Sequence, residues 1–177
     1  MRFALIDRVV DLEPGVRISA TKSLTMAEEY LADHFPLFPV MPGVLMLQAM
    51  TDASSWLIRA TDDFAQSMIV LREAANVKYA QFLEPGQTLM VSAEIQKREP
   101  GETKLRAKGV VEGRTIVSCR LVLAHYNLAD RDPHYAATDR SLRRHFRDHF
   151  LQLHKPAAAL VAAVANGANG ANGADPA

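Results

Sequence analysis

The chain has 177 residues, of which 49% are hydrophobic, and this is the size and apolar content of one domain with a tail. Its 20 basic and 20 acidic residues cancel, so no broad basic field favours binding to nucleic acid. The single cysteine, Cys119, excludes an internal disulfide and a multi-cysteine metal site. Asp7 and Arg8 interrupt the first apolar run, and no run approaches the roughly 20 residues that span a bilayer. We therefore expect a cytoplasmic protein without a signal peptide or a membrane span.

Strands are predicted through most of the first 128 residues. The tripeptide Glu-Pro-Gly occurs three times, at 13–15, 84–86 and 99–101. It favours type II turns, because proline presets the second turn position and glycine accepts positive φ at the third. Polarity alternates in the flanking segments, as in half-buried strands. About six antiparallel strands are predicted, over 4–12, 16–22, 67–71 continued by 76–79 after an interruption, 89–97, 103–111 and 115–124.

One segment departs from this pattern, because residues 42–59 are apolar on almost every side and contain no glycine or proline after Gly43. Pro42 suits the first helical position, and a helix that is apolar all round belongs inside a protein. A short helix over 26–32, capped by Thr25, is predicted to precede it. One long central helix wrapped by an antiparallel sheet is the hot-dog fold, of class α+β.

Three regions follow from this pattern. Residues 1–128 form the hot-dog domain, and residues 129–155 form a helical extension with apolar residues at helical spacing, capped by Asp139 or Ser141. Residues 156–177 are rich in Ala, Asn and Gly and have little to bury, so this tail is predicted to be disordered.

The segment 33–45 carries the chemistry. Three of its prolines fall within seven residues, from Pro36 to Pro42, and stiffen the approach to the long helix, with His34 at the start of the loop. The unpaired amides at the helix N-terminus, including that of Gly43, can polarise a carbonyl. From the residues alone, a histidine that merely caps a proline-rich turn is the favoured interpretation, and a catalytic histidine is the alternative.

The run His34-Phe35-Pro36, two residues, then Pro39-Val40-Met41-Pro42-Gly43-Val44-Leu45 resembles the signature of the FabZ-type 3-hydroxyacyl-[acyl-carrier-protein] dehydratases. The resemblance extends over about residues 4–126, including 5–15, 76–79 and 84–86. It implies that His34 is the catalytic base and that the Gly43 amide holds the thioester carbonyl. Phe35, Pro42 and Val44 would bind substrate beside it, and Met46 and Met50 would line an acyl tunnel.

Gln48 stands where this family carries a catalytic carboxylate on the helix. A carboxamide forms hydrogen bonds but cannot exchange a proton at neutral pH, so Gln48 would orient the leaving hydroxyl rather than protonate it. Asp52, one turn further along, is the nearest substitute, although a structural hydrogen bond also explains it. Three hypotheses stay open: a dehydratase, a non-catalytic acyl-binding or partner subunit, and a hot-dog thioesterase.

The resemblance further implies a homodimer or higher homo-oligomer with its sites at the subunit interface. It also implies an acyl carrier protein as partner, with the acyl chain on a phosphopantetheine arm, and no cofactor or metal. Two departures bear on this partner. Ala80-Gln81 replaces a basic pair that the family often carries, and Leu37 replaces a glycine. Other basic residues are candidates to substitute in docking, although solvated surface charge is the commoner explanation for them: Arg59, Lys78, Arg98 and the segment 143–147.

Overall fold

The computed structural model describes residues 5–154, so the predicted tail at 156–177 and the first residue of the predicted first strand lie outside the described residues. The described chain contains two α-helices, six β-strands and three short 3-10 helices. The strands are β1 (Arg8–Glu13), β2 (Arg17–Ser23), β3 (Met68–Tyr79), β4 (Thr88–Glu99), β5 (Glu102–Val111) and β6 (Arg114–Tyr126). The helices are α1 (Gly43–Thr61) and α2 (Ala136–Leu153).

The six strands form one antiparallel sheet in the order β1-β2-β4-β5-β6-β3. This confirms the predicted α+β architecture. The glycines of the three Glu-Pro-Gly turns have φ of 81°, 90° and 74°, which is the left-handed conformation that the third position of a type II turn requires. In β5 buried and solvent-facing residues alternate along the whole strand, so one face of the sheet is apolar and faces the core.

Helix α1 lies across that apolar face, against β2, β4, β5, β6 and β3. It is buried along most of its length, which is why its sequence is apolar on nearly every side. Its few hydroxyl groups bond back to the helix itself, as Ser54 does to the Met50 carbonyl. One stripe of the helix stays open, at Val44 and Gln48. Neither α1 nor α2 is long and apolar enough to cross a membrane, within residues 5–154.

Helix α2 begins earlier than predicted, at Ala136, and neither Asp139 nor Ser141 caps it. The Asp139 side chain is only 2% exposed and accepts hydrogen bonds from the Ser67 hydroxyl and from the Leu128 and Ala129 amides. The Asp139 carboxylate, which was predicted to cap the helix, therefore binds donors outside the helix instead. The aromatic face of α2 packs on Trp56 of α1, so the apolar residues at helical spacing face the domain itself.

Two other local predictions were wrong. The short helix over 26–32 is a 3-10 helix confined to Glu29–Ala32, and Thr25 does not cap it. The interrupted strand is one continuous strand, β3, whose pairing with β6 shifts at two bulges. Asn76, with φ of 53°, sits at the second bulge, which explains why the sequence pattern broke there.

Candidate active site

The loop that carries His34 is fastened by its own backbone. The Val40 amide donates to the His34 carbonyl at 3.0 Å, and Phe35 and Phe38 exchange two amide–carbonyl bonds across a tight turn. The Met41 amide donates to the Leu83 carbonyl at 2.9 Å, which ties the loop to the segment after β3. The stiff loop that the prolines predicted is therefore closed by hydrogen bonds as well.

The imidazole of His34 has one tautomer compatible with its surroundings. Its Nδ1 lies 3.0 Å from the Val40 carbonyl oxygen, which can only accept a hydrogen bond. Nδ1 must therefore carry the proton, and the neutral ring presents its Nε2 lone pair as a base. The Phe35 ring stacks on the imidazole at 4.3 Å between centroids and limits its rotation. The loop thus holds an oriented proton acceptor.

The N-terminus of α1 supplies the complementary group. Gly43 is the first helical residue, and Pro42 is the N-cap. The helix therefore begins one residue later than predicted from the sequence, which placed Pro42 at the first helical position. The helix offers no carbonyl to the Gly43 amide, and its dipole makes that end positive. A Cβ on Gly43 would lie 3.1 Å from Cε1 of Tyr79. Glycine therefore keeps the space between this amide and the tyrosine ring open.

His34 and Gly43 line the same pocket, of about 560 Å³, a volume that suits a small-molecule site. Phe35 and Met46 line it too, as predicted. The remaining wall was not predicted as pocket lining and comes mainly from the end of β3 and the loop after it. Its members are Met41, Tyr79, Ala80, Gln81, Phe82 and Glu84.

Other predicted site residues lie elsewhere in the chain. Gln48 and Val44, which is 70% exposed, line a second pocket of about 580 Å³ with Leu5, Leu45 and Asp52. Met50 is fully buried in the core beside the Cys119 sulfur and lines neither of these pockets. Pro42 lines neither pocket and accepts the first helical hydrogen bonds. Within one chain, the structure therefore does not bring Gln48 to His34.

Several basic residues that were candidates for partner docking have structural contacts. Arg59 is buried, donates to the carbonyls of Gln66 and Ser67, and lies over the Phe146 ring at 3.7 Å. Arg98 pairs with Asp62. Arg143 and Arg147, inside the segment 143–147, hold α2 to the loop after α1 through the carbonyls of residues 65 and 63.

Neither the cysteine nor a metal cluster offers a second reactive centre among residues 5–154. Cys119 is buried in β6, and this burial raises the pKa of its thiol to about 11, so it stays protonated at neutral pH. Among residues 5–154, no three His, Cys, Asp or Glu side chains are grouped to hold a metal ion.

A FabA-like domain matches residues 1–120, about two thirds of the sequence. The chain belongs to the FabA-like family. Curated relatives of this FabA-like protein include 3-hydroxyacyl-[acyl-carrier-protein] dehydratases named FabZ. The one from Anaeromyxobacter sp. (strain Fw109-5) is 35% identical over 134 residues, 73% of this chain and 83% of the relative. The one from Variovorax paradoxus (strain S110) is 37% identical over 125 residues, 69% of this chain and 83% of the relative.

Solved structures confirm the hot-dog fold of this FabA-like protein. The dehydratase heterocomplex ApeI:P from Xenorhabdus doucetiae superposes with a TM-score of 0.59 and 14% identity, over 75% of this chain and 90% of that one. The protein smu.793 from Streptococcus mutans UA159, solved with acetyl CoA, superposes with a TM-score of 0.55 and 12% identity. That match covers 72% of this chain and 94% of the other. At such identities the likeness concerns the fold alone.

Proposed function

We propose that this FabA-like protein is a hydro-lyase that dehydrates 3-hydroxyacyl thioesters to trans-2-enoyl thioesters in fatty acid or related lipid or polyketide synthesis. The observation that carries the proposal is the pocket shared by an oriented His34 and the free amide of Gly43. Family membership and the FabZ relatives support the same reaction.

The proposed first half of the reaction uses His34 and Gly43. The Gly43 amide donates a hydrogen bond to the thioester oxygen and so stabilises the negative charge that develops there. This stabilisation makes the C2 proton more acidic. His34 Nε2 removes that proton, while the Val40 carbonyl keeps Nδ1 protonated and stabilises the imidazolium that forms. Phe35 and Met46 provide apolar contacts for the acyl chain on the pocket wall.

The second half of the reaction belongs to an assembly of two chains. Strand β3 is an edge of the sheet and contains no buried residue, so its outer side can pair with another strand. On α1, the apolar side chain of Val44 and the amide of Gln48 form an exposed stripe. A homodimer joined at β3 would cover this stripe and complete each His34 pocket with residues of the second copy. Sedimentation of the full chain at micromolar concentration measures this state, and a monomeric mass would contradict it.

The substrate is proposed to arrive on the phosphopantetheine arm of an acyl carrier protein. This assignment rests on the names of the FabZ relatives. Comparing acyl-carrier-protein and coenzyme A thioesters of one chain length tests it, since a carrier-specific enzyme shows a higher kcat/KM on the first. A cytoplasmic location stays a prediction.

The decisive experiment incubates the full chain with a 3-hydroxyacyl thioester and with the matching enoyl thioester. Interconversion supports the dehydratase, and His34→Ala should lower its rate by about 10³-fold or more, since the base is lost. Release of free thiol would identify a thioesterase instead. Binding without either reaction would identify a non-catalytic subunit, the alternative that the missing carboxylate at position 48 raises.

A further inference from the structure

The carboxyl group of Asp52 is hydrogen-bonded to the amide of Gln48, which stands where the FabZ pattern has a catalytic carboxylate. Gln48 Nε2 donates a hydrogen bond to Asp52 Oδ1 at 2.7 Å, one helical turn further along α1. Both side chains, with Val44, line the open pocket of about 580 Å³. Because both side chains line this pocket, a hydroxyl group that enters it can contact the Gln48 amide and the Asp52 carboxyl together.

The surroundings of Asp52 favour its protonated form. Asp52 lines two adjacent pockets, and apolar side chains line them with it, among them Leu5, Ile6, Ile69 and Trp56. Burial raises the pKa of Asp52 to about 6, although the hydrogen bond from Gln48 lowers it in part. Among the described residues, the charged or titratable side chains that share these pockets with Asp52 are Arg59 on α1 and His149 on α2. Strand β3 contributes only Ile69, and the described N-terminal residues contribute only Leu5 and Ile6.

We propose that Asp52, held by Gln48, is the acid that protonates the departing hydroxyl in the His34 pocket of a second copy of the chain. This inference rests on the proposed dehydratase function. Asp52 then takes the role that a carboxyl at position 48 has in the FabZ pattern, and Gln48 is a positioning residue that aims it. The acid is displaced by one turn rather than lost.

The reaction balances with these two groups. His34 Nε2 takes the proton from C2, and the electron pair of that bond forms the C2–C3 double bond. The C3–O bond breaks, and the oxygen takes the proton of the Asp52 carboxyl and leaves as water. The imidazolium and the carboxylate that remain return to their starting forms when one proton passes from the first to the second through solvent.

Glu84 is the rival acid, because it lines the His34 pocket within one chain. It is exposed, and the hydrogen bonds at this residue are those of its backbone: the Glu84 amide donates to the Gln87 side chain, and the Glu84 carbonyl accepts from the Gln87 amide. No hydrogen bond or ion pair in the described part of the chain aims its carboxyl. Asp52 has both a hydrogen bond that fixes its orientation and partial burial that raises its pKa towards neutrality, where a general acid works best.

The test is the pH profile of kcat/KM for four full-length proteins: native, Asp52→Asn, Glu84→Gln and the exchange variant Gln48→Glu/Asp52→Gln. Above pH of about 6 the native rate should fall about tenfold per pH unit, since the acid must be protonated. Asp52→Asn is isosteric and keeps an acceptor for Gln48. It should lower kcat by about 10²–10⁴-fold with little change in KM and remove this alkaline fall. The exchange variant returns a carboxyl to position 48 and should recover most of the rate.

Two controls make the result specific. His149→Gln should leave the alkaline fall in place, which separates Asp52 from the other titratable group near it. Mixing His34→Ala with Asp52→Asn after subunit exchange should recover about a quarter of native activity, because half the dimers are mixed and each has one intact site.

The outcomes separate this proposal from the function on which it rests. A native protein that dehydrates, together with a fully active Asp52→Asn variant, would overturn the role of Asp52 and leave the dehydratase in place. Loss of the alkaline fall in Glu84→Gln instead would assign the acid to Glu84. Failed recovery in the mixed dimers would also overturn the proposal. A native protein that forms no enoyl thioester would overturn the proposed function, and the role of Asp52 with it.

Discussion

Replacing Gly43 by alanine should impair catalysis without unfolding the protein. The added Cβ would lie 3.1 Å from Cε1 and 3.3 Å from Cδ1 and Cζ of Tyr79, so the ring must move by a few tenths of an ångström. The ring can do so because Tyr79 is 48% exposed. Alanine also suits a helix better than glycine, which offsets the contact. The melting temperature should therefore change little.

The cost of Gly43→Ala should appear in the chemical step. The methyl group occupies the approach of the thioester oxygen to the Gly43 amide, and losing one such donor costs about 10²–10³ in kcat. The assay is steady-state hydration of an enoyl thioester, with folding followed by circular dichroism. Gly109→Ala is the matched control, since its Cβ would lie 2.6 Å from Val117 Cγ1 and 2.8 Å from Leu89 Cδ1 in the core. It should destabilise the fold by about 1–3 kcal/mol but leave turnover per folded molecule unchanged. A folded Gly43→Ala variant with native kcat/KM would refute the carbonyl-holding role.

Three further predictions concern the scaffold. Burial opposes ionisation of Asp139, but its hydrogen bonds prevail and lower its pKa. Asp139→Asn should therefore destabilise α2 at neutral pH, measured as faster amide hydrogen exchange in that helix, and have less effect in acid. Burial lowers the pKa of His125, so the native state binds fewer protons than the unfolded chain and loses stability as pH falls below about 6.5. The melting temperature should therefore decrease as the pH falls in this range, and His125→Gln should make that decrease smaller. Leu71→Arg on the edge strand β3 should reduce the sedimenting mass to that of a monomer, and an unchanged mass would place the subunit contact elsewhere.

The elements could be predicted from the sequence because their signals are local. Alternating polarity predicted the strands, an all-round apolar run predicted α1, and Glu-Pro-Gly predicted turns whose glycines have positive φ. The errors arose where distant partners decide the outcome. Asp139 reads as a helix cap, yet it accepts a hydrogen bond from Ser67, which lies 72 residues away in sequence. Met50 reads as tunnel lining, yet the surrounding sheet buries it.

The candidate site was predictable to a similar extent. The spacing of His34 and Gly43 in one motif predicted their shared pocket, because a short stiff loop joins them. The wall formed by Tyr79, Phe82 and Glu84 carried no sequence signal of pocket lining, since it depends on the bond between the Met41 amide and the Leu83 carbonyl. The motif also could not show that Gln48 faces a different pocket from His34 in the same chain.

Dehydration needs a base at C2, a donor at the thioester oxygen and an acid at the leaving hydroxyl, and only the last is absent from the motif itself. A general acid is defined by its reach and its retained proton rather than by its place in the sequence. Asp52 is fixed against Gln48 and sits in apolar surroundings that favour the neutral carboxyl. In this proposal the amide at position 48 goes with an acid that has moved to position 52, not with the loss of dehydratase activity. The variant Gln48→Glu/Asp52→Gln distinguishes these two possibilities.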